Sequence, residues 1–357
     1  AGRVERGRVL QHTNRRVKER TLAMKPTITA IIGCEHSPEF LSSTLDAIED
    51  DDIDVIVVDT VGLPGRAEVV IQASGRGLAA NYLNLPGTQR PTAWNIAARQ
   101  ASGEVLAFLD DDCIPTPGWH GAVRSSFRSP DVGAVGGPDK VPEEAPIFEQ
   151  SLEYILTSFV GTLGMRSGKQ LAAYYPRPWN MAVSREAFLQ TDGFDEASPE
   201  APELPMLSSI EGLGYKIIYQ PQAVVGHYRE TDFRGFICRD FRLSMERGRR
   251  QSQPRLDMLY GAACAILLAA GIAAVRKPDS RVPKVMAGAY SALLGFSGIH
   301  AAKQLRRPVL SILVPPLLFA HHAAHVAGFA SGKTLKLLTR GRIPLNEVKD
   351  EAVKQDR

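Results

Sequence analysis

The sequence predicts an α/β fold with a mainly parallel, Rossmann-like sheet, followed by C-terminal transmembrane helices. Three observations indicate this fold. Between residues 24 and 233, short apolar runs alternate with helical patterns, a rhythm typical of parallel strands joined by helices. The run Val55-Ile56-Val57-Val58 is apolar throughout, as expected of a strand that is buried on both faces. After residue 257, three apolar stretches approach the ~20 residues that a bilayer-spanning helix needs.

The predicted elements follow one another closely. The first strand covers Thr27–Ile32, and a helix over Ser37–Ile48 begins at Ser37-Pro38, residue types that favour a helix start. The next strand is Asp54–Asp59. After it come a helix over 66–73, a strand over 81–85, a helix over 92–100, a strand over 105–109 and a helix over 117–127. From Val132 the pattern becomes mixed, and Gly136-Gly137-Pro138 marks a break.

Composition restricts the class of protein. The 357 residues suffice for one large domain with additions. A net charge of only +3 gives no global electrostatic case for nucleic acid as a partner. The four cysteines (Cys34, Cys113, Cys238 and Cys264) have no paired spacing. A disulfide framework or a zinc site is therefore not expected, and a reducing compartment fits.

The two ends of the chain are expected to lie outside the folded domain. Residues 1–23 are rich in arginine and lack an apolar core, so they do not read as a secretory signal. We expect a disordered basic leader, which could equally be a tag or an artefact of an upstream start, since Met24 directly precedes the first strand. Residues 331–357 are expected to form a polar tail.

Residues 234–256 form a basic segment between the predicted domain at 24–233 and the apolar stretches. It contains two acids, Asp240 and Glu246, and a larger number of arginines. The arginines are Arg234, Arg239, Arg242, Arg247, Arg249, Arg250 and Arg255. A basic segment before a first span predicts a cytoplasmic catalytic domain at the inner or plasma membrane.

The apolar stretches cover residues 258–275, 285–302 and 308–330. We expect two or three transmembrane or interfacial helices within residues 257–330. Buried core helices are the alternative, and this alternative fits the 18-residue middle stretch best. Basic residues flank both the first and the last stretch, so charge asymmetry does not choose between two and three crossings.

Three consecutive carboxylates, Asp110, Asp111 and Asp112, follow the apolar run Val105–Leu109. Carboxylates are costly to align unless a positive group neutralises them, and Mg²⁺ or Mn²⁺ is the usual choice when the ligands are oxygens. The carboxyl end of a strand is also where open α/β sheets bind ligands. The alternatives are a solvated acidic loop and a cap for the helix after Pro117.

Seven segments in order resemble family 2 of the inverting nucleotide-sugar glycosyltransferases, which have the GT-A fold. The resemblance covers roughly residues 26–250. Its segments are Ile53–Asp59, Thr92–Ala97, Gly103–Asp112, Pro117–Trp119, Asn180–Phe188, Gly193–Glu196, and Gly214–Ile217 together with Pro221–His227. The resemblance implies a metal-dependent transferase of the hexosyltransferase type that uses a nucleotide-diphosphate sugar, with a UDP-sugar as the default donor.

The resemblance also implies roles for particular residues. Asp112 is the expected metal ligand, with Asp110 directed to the metal or the ribose, because residues two apart on an extended segment point the same way. Asp59, Asn95, Asp110 and Asp111 are the expected donor-binding residues. The sequence after Asp59 departs from the family at Thr60, where a second acid is usual. This departure leaves the identity of the donor nucleotide open.

Inversion in one displacement requires a base that deprotonates the acceptor hydroxyl. The family keeps an acid about a dozen residues before its Gly-Tyr pair, and Glu203 stands at that position. Glu203 is therefore the candidate catalytic base, with Glu200 and Glu196 as fallbacks. The alternative is an N-terminal helix residue favoured by the helix dipole. His227 approaches the metal or diphosphate in some relatives, although a structural histidine is commoner.

The segment Arg239-Asp240-Phe241-Arg242-Leu243 lacks the tryptophan of processive members. We therefore expect transfer of one sugar to a lipid-linked or cell-envelope glycan. The alternatives are a polyprenyl-phosphate sugar synthase and a non-catalytic, membrane-anchored protein that binds nucleotide sugars. Gly328–Thr334 resembles a phosphate-binding loop but is one residue short, and it follows an apolar stretch where such a loop would follow a strand.

Overall fold

The computed structural model describes residues 26–48, 52–164, 174–198, 200–229, 231–250 and 281–339, with scattered positions between 261 and 276. They form two compact units. The first holds the described residues within Ala1–Pro142 and Tyr174–Arg229, and the second those within Glu143–Ala173 and Glu230–Arg357. The expected leader, most of the first apolar stretch and residues 340–357 of the expected polar tail lie outside the described residues, whereas residues 331–339 of that tail are helical.

The first unit is built on a seven-stranded sheet in the order β3-β2-β1-β4-β8-β6-β9. Its strands are β1 (Ile28–Cys34), β2 (Ile53–Asp59), β3 (Ala80–Asn84), β4 (Val105–Asp110), β6 (Val132–Gly136), β8 (Asn180–Ser184) and β9 (Lys216–Tyr219). Only β8 runs antiparallel to its two neighbours. The predicted α/β fold with a mainly parallel sheet is confirmed.

Helices cover both faces of this sheet. Apolar residues of α1 (Pro38–Asp46), α2 (Arg66–Gly75) and α4 (Trp119–Ser126) pack in one buried cluster. Those of α3 (Arg90–Gln100), α7 (Arg185–Leu189) and α8 (Glu203–Gly212) pack in a second cluster with alternate residues of the same strands. Every residue of β1 and β4 is buried, which explains their continuous apolar sequences.

A second, three-stranded sheet lies beside the end of β4. It has the order β5-β10-β7, formed by Cys113–Pro115, Val225–His227 and Asp139–Lys140. His227 pairs with Cys113 across β10 and β5, and Val225 pairs with Asp139 across β10 and β7. This small sheet brings chain segments more than a hundred residues apart next to Asp112.

The second unit is helical. It contains α5 (Ile147–Thr157), α6 (Phe159–Thr162), α9 (Phe233–Arg250), α10 (Arg281–Gln304) and α11 (Leu310–Thr339). Its apolar cluster joins α5 residues such as Leu152 and Ile155 to Leu310, Val314 and Leu318 of α11. These contacts connect parts of the sequence that are about 160 residues apart.

Glycines set the close approach of α9 and α11. A β-carbon on Gly328 would overlap the carbonyl oxygen of Phe241, and one on Gly332 would overlap that of Met245. A spacing of four residues places both glycines on one face of the helix, an arrangement typical of tightly packed helix pairs. The segment that resembles a phosphate-binding loop therefore lies inside α11, where its glycines pack against α9.

Two helices, α10 and α11, are long and apolar enough to cross a membrane. Within their most apolar windows, 17% of the residues of α10 and 33% of those of α11 are buried. The alternative of a buried core helix, which fitted the middle apolar stretch best, is not supported, because most residues in the apolar window of α10 are not buried. Pro315 and Pro316 lie within α11.

The histidines of α11 form a buried cluster with α9. His321 Nδ1 lies 2.6 Å from Asp240 Oδ2, and His321 Nε2 lies 3.0 Å from the carbonyl oxygen of Gly161. Because a carbonyl oxygen can only accept, Nε2 carries a hydrogen. Ser244 bonds His325 in the same cluster. Hydrogen bonding within the helical unit thus accounts for the positions of His321 and His325.

Candidate functional site

The acidic run lies at the carboxyl edge of the large sheet. Asp110 ends β4 and pairs with Gly33 of β1, while Asp59 at the end of β2 pairs with Cys34. Relative exposure is 6% for Asp110, 0% for Asp111 and 4% for Asp112. The alternative of a solvated acidic loop is therefore wrong. Each carboxylate must find a positive or donor group inside the protein.

Asp111 holds the first loop of the domain. Its Oδ2 accepts hydrogen bonds from the main-chain N–H groups of Glu35 and His36 at 3.2 and 3.0 Å. Its Oδ1 lies 2.7 Å from His36 Nδ1, and this bond raises the pKa of His36 to about 9. The expected donor-binding role of Asp111 stays a prediction, but its carboxylate is directed at residues 35–36.

Asp110 pairs with Arg90, a residue that the sequence motifs did not single out. Arg90 Nη1 lies 3.2 and 3.4 Å from the two carboxylate oxygens of Asp110, and Arg90 Nε donates to Glu35 at 2.7 Å. Burial raises the pKa of Asp110 to about 6; Arg90 opposes this shift and Asp112 adds to it. The carboxylate therefore gains from any further positive charge that binds beside it.

Asp112 faces His227. Asp112 Oδ2 lies 3.4 Å from His227 Nε2 and 3.8 Å from His36 Nε2. Burial acts to raise the pKa of Asp112, but His227 and His36 outweigh it and hold this pKa below its ordinary value. The histidine that sequence reasoning left mainly as a structural residue thus lies within the acidic site.

The residues present fit a hard divalent cation. Metal–ligand distances of about 2.1 Å give two ligands at right angles a separation of about 3 Å. The 3.4 Å between Asp112 Oδ2 and His227 Nε2 is close to this value. Carboxylate oxygen with imidazole nitrogen suits Mn²⁺, and carboxylates alone suit Mg²⁺. Asp112 and His227 would hold the ion, and the metal contact expected for Asp110 stays a prediction.

Asp59 is bound on both oxygens by neighbouring groups. Its Oδ1 accepts from the main-chain N–H groups of Val61 and Gly62 at 2.9 and 2.7 Å and from buried Arg66 at 2.5 Å. Its Oδ2 accepts from the hydroxyl of Tyr82 at 2.6 Å. Burial works against ionisation of Asp59, yet these donors keep its pKa below the ordinary value.

Asn95 stabilises the loop that contains Gly193–Glu196. Its amide nitrogen donates to Phe194 O and Glu196 Oε1, both at 2.9 Å, and its oxygen accepts from Phe194 N at 2.9 Å. Gly193 in this loop has φ +75° and lies against the Asn95 amide, so no side chain fits there. These hydrogen bonds of Asn95 go to the loop at residues 194–196. Its expected contact with the donor stays a prediction.

Glu203 is the first residue of α8 and is 1% exposed. Its Oε1 accepts a hydrogen bond from Arg177 Nη1 at 2.7 Å. Both readings of the sequence therefore describe its position, since it begins a helix and is also a buried carboxylate with a specific partner. Of the fallback residues, Glu196 is exposed and accepts from Asn95.

Comparisons with known proteins show which proteins this chain is similar to. Residues 31–190 match the family model described as Glycosyl transferase family 2. A glucosyl-dolichyl phosphate glucuronosyltransferase of Haloferax volcanii is 24% identical over 261 residues, which cover 69% of this chain and 76% of that protein. A pre-mycofactocin glycosyltransferase of Mycobacterium tuberculosis is 26% identical over 269 residues, which cover 72% of this chain and 50% of that protein.

A solved structure has the same fold. The mannosyltransferase PcManGT from Pyrobaculum calidifontis, in complex with GDP-Man and Mn²⁺, aligns with a TM-score of 0.58 and 19% sequence identity. The alignment covers 85% of this chain and 88% of that one. The likeness extends beyond the residues that the family model matches.

Proposed function

We propose that this chain, a family 2 glycosyltransferase with the GT-A fold, transfers one sugar, with inversion, to a lipid-linked or cell-envelope glycan. The donor is a nucleotide-diphosphate sugar. The observation that carries the proposal is the buried group of Asp110, Asp112 and His227 at the carboxyl edge of the sheet. Such a group is suited to hold a divalent cation beside a diphosphate.

The chain supplies ligands for the cation and controls the charge around them. When Mn²⁺ or Mg²⁺ is bound, it offsets the negative charge that develops on the leaving diphosphate. Asp112 and His227 would hold the ion, while Asp110 is kept in place by Arg90.

Glu203 acts as the catalytic base in this proposal. It accepts a proton from the acceptor hydroxyl, which then attacks the anomeric carbon from the side opposite the diphosphate. Arg177 fixes the direction of the carboxylate through its bond to Oε1. Asp59 and Asn95 shape the donor side through the loops they hold.

The identity of the donor nucleotide is to be determined with a panel of nucleotide sugars. UDP is the default of the family resemblance. Both carboxylate oxygens of Asp59 already accept hydrogen bonds from within the protein. We therefore expect recognition of the nucleotide base to use other groups as well. The solved relative in complex with GDP-Man supports including GDP-sugars in the panel.

The acceptor is proposed to be lipid-linked, with the chain held at the membrane by α10 and α11. Their length and apolar surface support this placement, and the name of the haloarchaeal relative refers to a dolichyl phosphate. Arg234 and Arg242 of α9 are exposed and can meet anionic headgroups. Purification of the full chain as a soluble protein without detergent would contradict the tether.

The experiment that tests the base is Glu203→Gln in the detergent-purified full chain. General-base catalysis contributes about 10²–10⁴-fold to rate. We expect transfer to fall by at least about 100-fold while the affinity for the donor, measured by calorimetry, is retained. Undiminished transfer by this variant would exclude Glu203 as the base.

A further inference from the structure

Asp139 is a buried carboxylate for which the proposed reaction has no role. It belongs to β7 of the small sheet and is 6% exposed. Three N–H donors converge on its Oδ2. Trp179 Nε1 lies at 3.1 Å and His227 Nδ1 at 3.2 Å, and Arg229 Nη2 is the third donor. A single oxygen is thus the meeting point of an indole, an imidazole and a guanidinium.

The partners of Asp139 fix its charge. Indole and guanidinium nitrogens can only donate, so Oδ2 must accept from Trp179 and from Arg229. The guanidinium of Arg229 places a permanent positive charge beside Oδ2 and so favours the ionised carboxylate. The imidazole nitrogen that faces the same oxygen, His227 Nδ1, therefore also presents its N–H to Asp139.

The hydrogen bond from His227 Nδ1 to Asp139 determines the role of the other ring nitrogen, Nε2. With its hydrogen on Nδ1, neutral His227 has its lone pair on Nε2, and Nε2 lies 3.4 Å from Asp112 Oδ2. Two acceptor atoms that face each other repel unless a positive species, either a proton on Nε2 or a metal ion in its place, lies between them. The position between Nε2 and Oδ2 therefore suits a cation.

We infer that Asp139 is the positioning residue that makes His227 a ligand of the divalent cation, together with Asp112. The inference rests on the proposed function, which supplies the cation, and adds a carboxylate that orients the ligand from behind. Outer carboxylates of this kind fix the tautomer of a metal-binding histidine, and their loss costs about 10–100-fold in metal affinity.

The small sheet provides the frame for this arrangement. β7 carries Asp139, β10 carries His227, and β5 begins directly after Asp112. The pairing of β10 with both other strands fixes the three residues in one register. The strands of this sheet have two or three residues each, and only a few of these residues pack in the apolar core. The sheet therefore contributes little to the core beyond positioning these side chains.

The test is Mn²⁺ binding by the full chain, measured by electron paramagnetic resonance with Mn²⁺ alone as the probe. We expect Asp139→Asn to weaken binding by about 10–100-fold. Trp179→Phe is the matched control, because it removes one donor from the same oxygen and leaves the bond to His227. This control should bind Mn²⁺ as the parent does. In a His227→Ala background, Asp139→Asn should change the affinity by less than about twofold.

Pulsed spectra give a second readout. The ¹⁴N coupling of a directly bound imidazole should be present in the parent, absent in His227→Ala and weakened in Asp139→Asn. If Asp139→Asn fails to fold because Arg229 loses its carboxylate, Asp139→Asn with Arg229→Gln removes both charges together, and the same loss of affinity is expected.

The outcomes separate the inference from the function on which it rests. Parent-like affinity and an unchanged ¹⁴N coupling in Asp139→Asn would overturn the positioning role while the cation site stands. An equal loss in Trp179→Phe would also overturn it, because the effect would then be one of general packing. Absence of Mn²⁺ binding by the parent itself would overturn the proposed cation site and the inference together.

Discussion

Individual side chains at the carboxyl edge of the sheet fall into two groups. Asp59 accepts from the N–H of Gly62 in the loop that follows it and from Arg66, whereas Asp111 accepts from the N–H of His36 in the loop after β1; both acids hold the backbone in place. Asp112 and His227 face each other across 3.4 Å and gain from a cation. The difference comes from the partners of each carboxylate, because all of these acids are equally buried.

Arg66→Met tests the first group. Asp59 and Arg66 are both fully buried and paired, and removal of one partner leaves an uncompensated buried charge. We expect the free energy of unfolding to fall by about 3–5 kcal/mol, measured by chemical denaturation in detergent. Arg76→Met is the matched control, since its pair with Asp46 is more than half exposed on both sides and such pairs contribute about 0–1 kcal/mol. Equal effects of the two substitutions would contradict this account.

His36 should make stability depend on pH. Its hydrogen bond to Asp111 raises the pKa from 6.5 to about 9. A folded-state pKa above the unfolded value means that the contribution is fully present below pH 6.5 and is lost as pH rises through about 9. We expect the stability difference between the parent and His36→Gln to shrink across this window in thermal melts. A difference that stays constant from pH 6 to about 9.5 would show that the bond is not charge-assisted.

At the residue scale, sequence reasoning found acids but not their partners. Asp110 and Asp112 follow an apolar run, and that local pattern is sufficient to suggest a cation site. Asp139, Arg90 and Arg177 have no such pattern. Their roles depend on bonds to residues 20 or more positions away, which the sheet topology creates and no local spacing records.

At the element scale, buried strands were predicted closely and short strands were missed. The predicted strand Asp54–Asp59 is observed as Ile53–Asp59, with every residue except Asp54 buried, because a strand covered on both faces leaves a nearly continuous apolar run in the sequence. The helix predicted from residue 117 begins at Trp119, since Gly118 has φ +85° and cannot continue a helix. The strands of the small sheet have two or three residues, too few for a period to be visible.

The pairing of α9 with α11 gives a prediction at this scale. Gly332→Ala would drive a β-carbon into the carbonyl oxygen of Met245, and we expect a loss of about 1–3 kcal/mol from overpacking. Gly288→Ala in α10 is the matched control, because nothing lies within 4 Å of its added β-carbon. That control should be neutral or stabilise by up to about 1 kcal/mol. Thermal melts in detergent compare the two, and a tolerated Gly332→Ala would mean that the helices are not in close contact.

At the scale of the whole molecule, the sequence predicted the order of a catalytic α/β part and an apolar helical part. It could not assign α5 and α6 to the helical unit, because their contacts to α11 span more than 150 residues. It also expected α10 to be the best candidate for a core helix. Most residues in the apolar window of α10 are not buried, and the hydropathy of a sequence alone does not report exposure.

The central claim is that Asp112 and its neighbours serve cation-dependent transfer from a nucleotide sugar. The most direct measurement is nucleoside diphosphate release from UDP-, GDP- and dTDP-sugars by the detergent-purified chain, with membrane lipid extract and Mn²⁺ or Mg²⁺. We expect metal-dependent release from one donor, reduced by about 100-fold or more in Asp112→Ala. Release that is equal in that folded variant, or absent from every donor in the parent, would contradict the account.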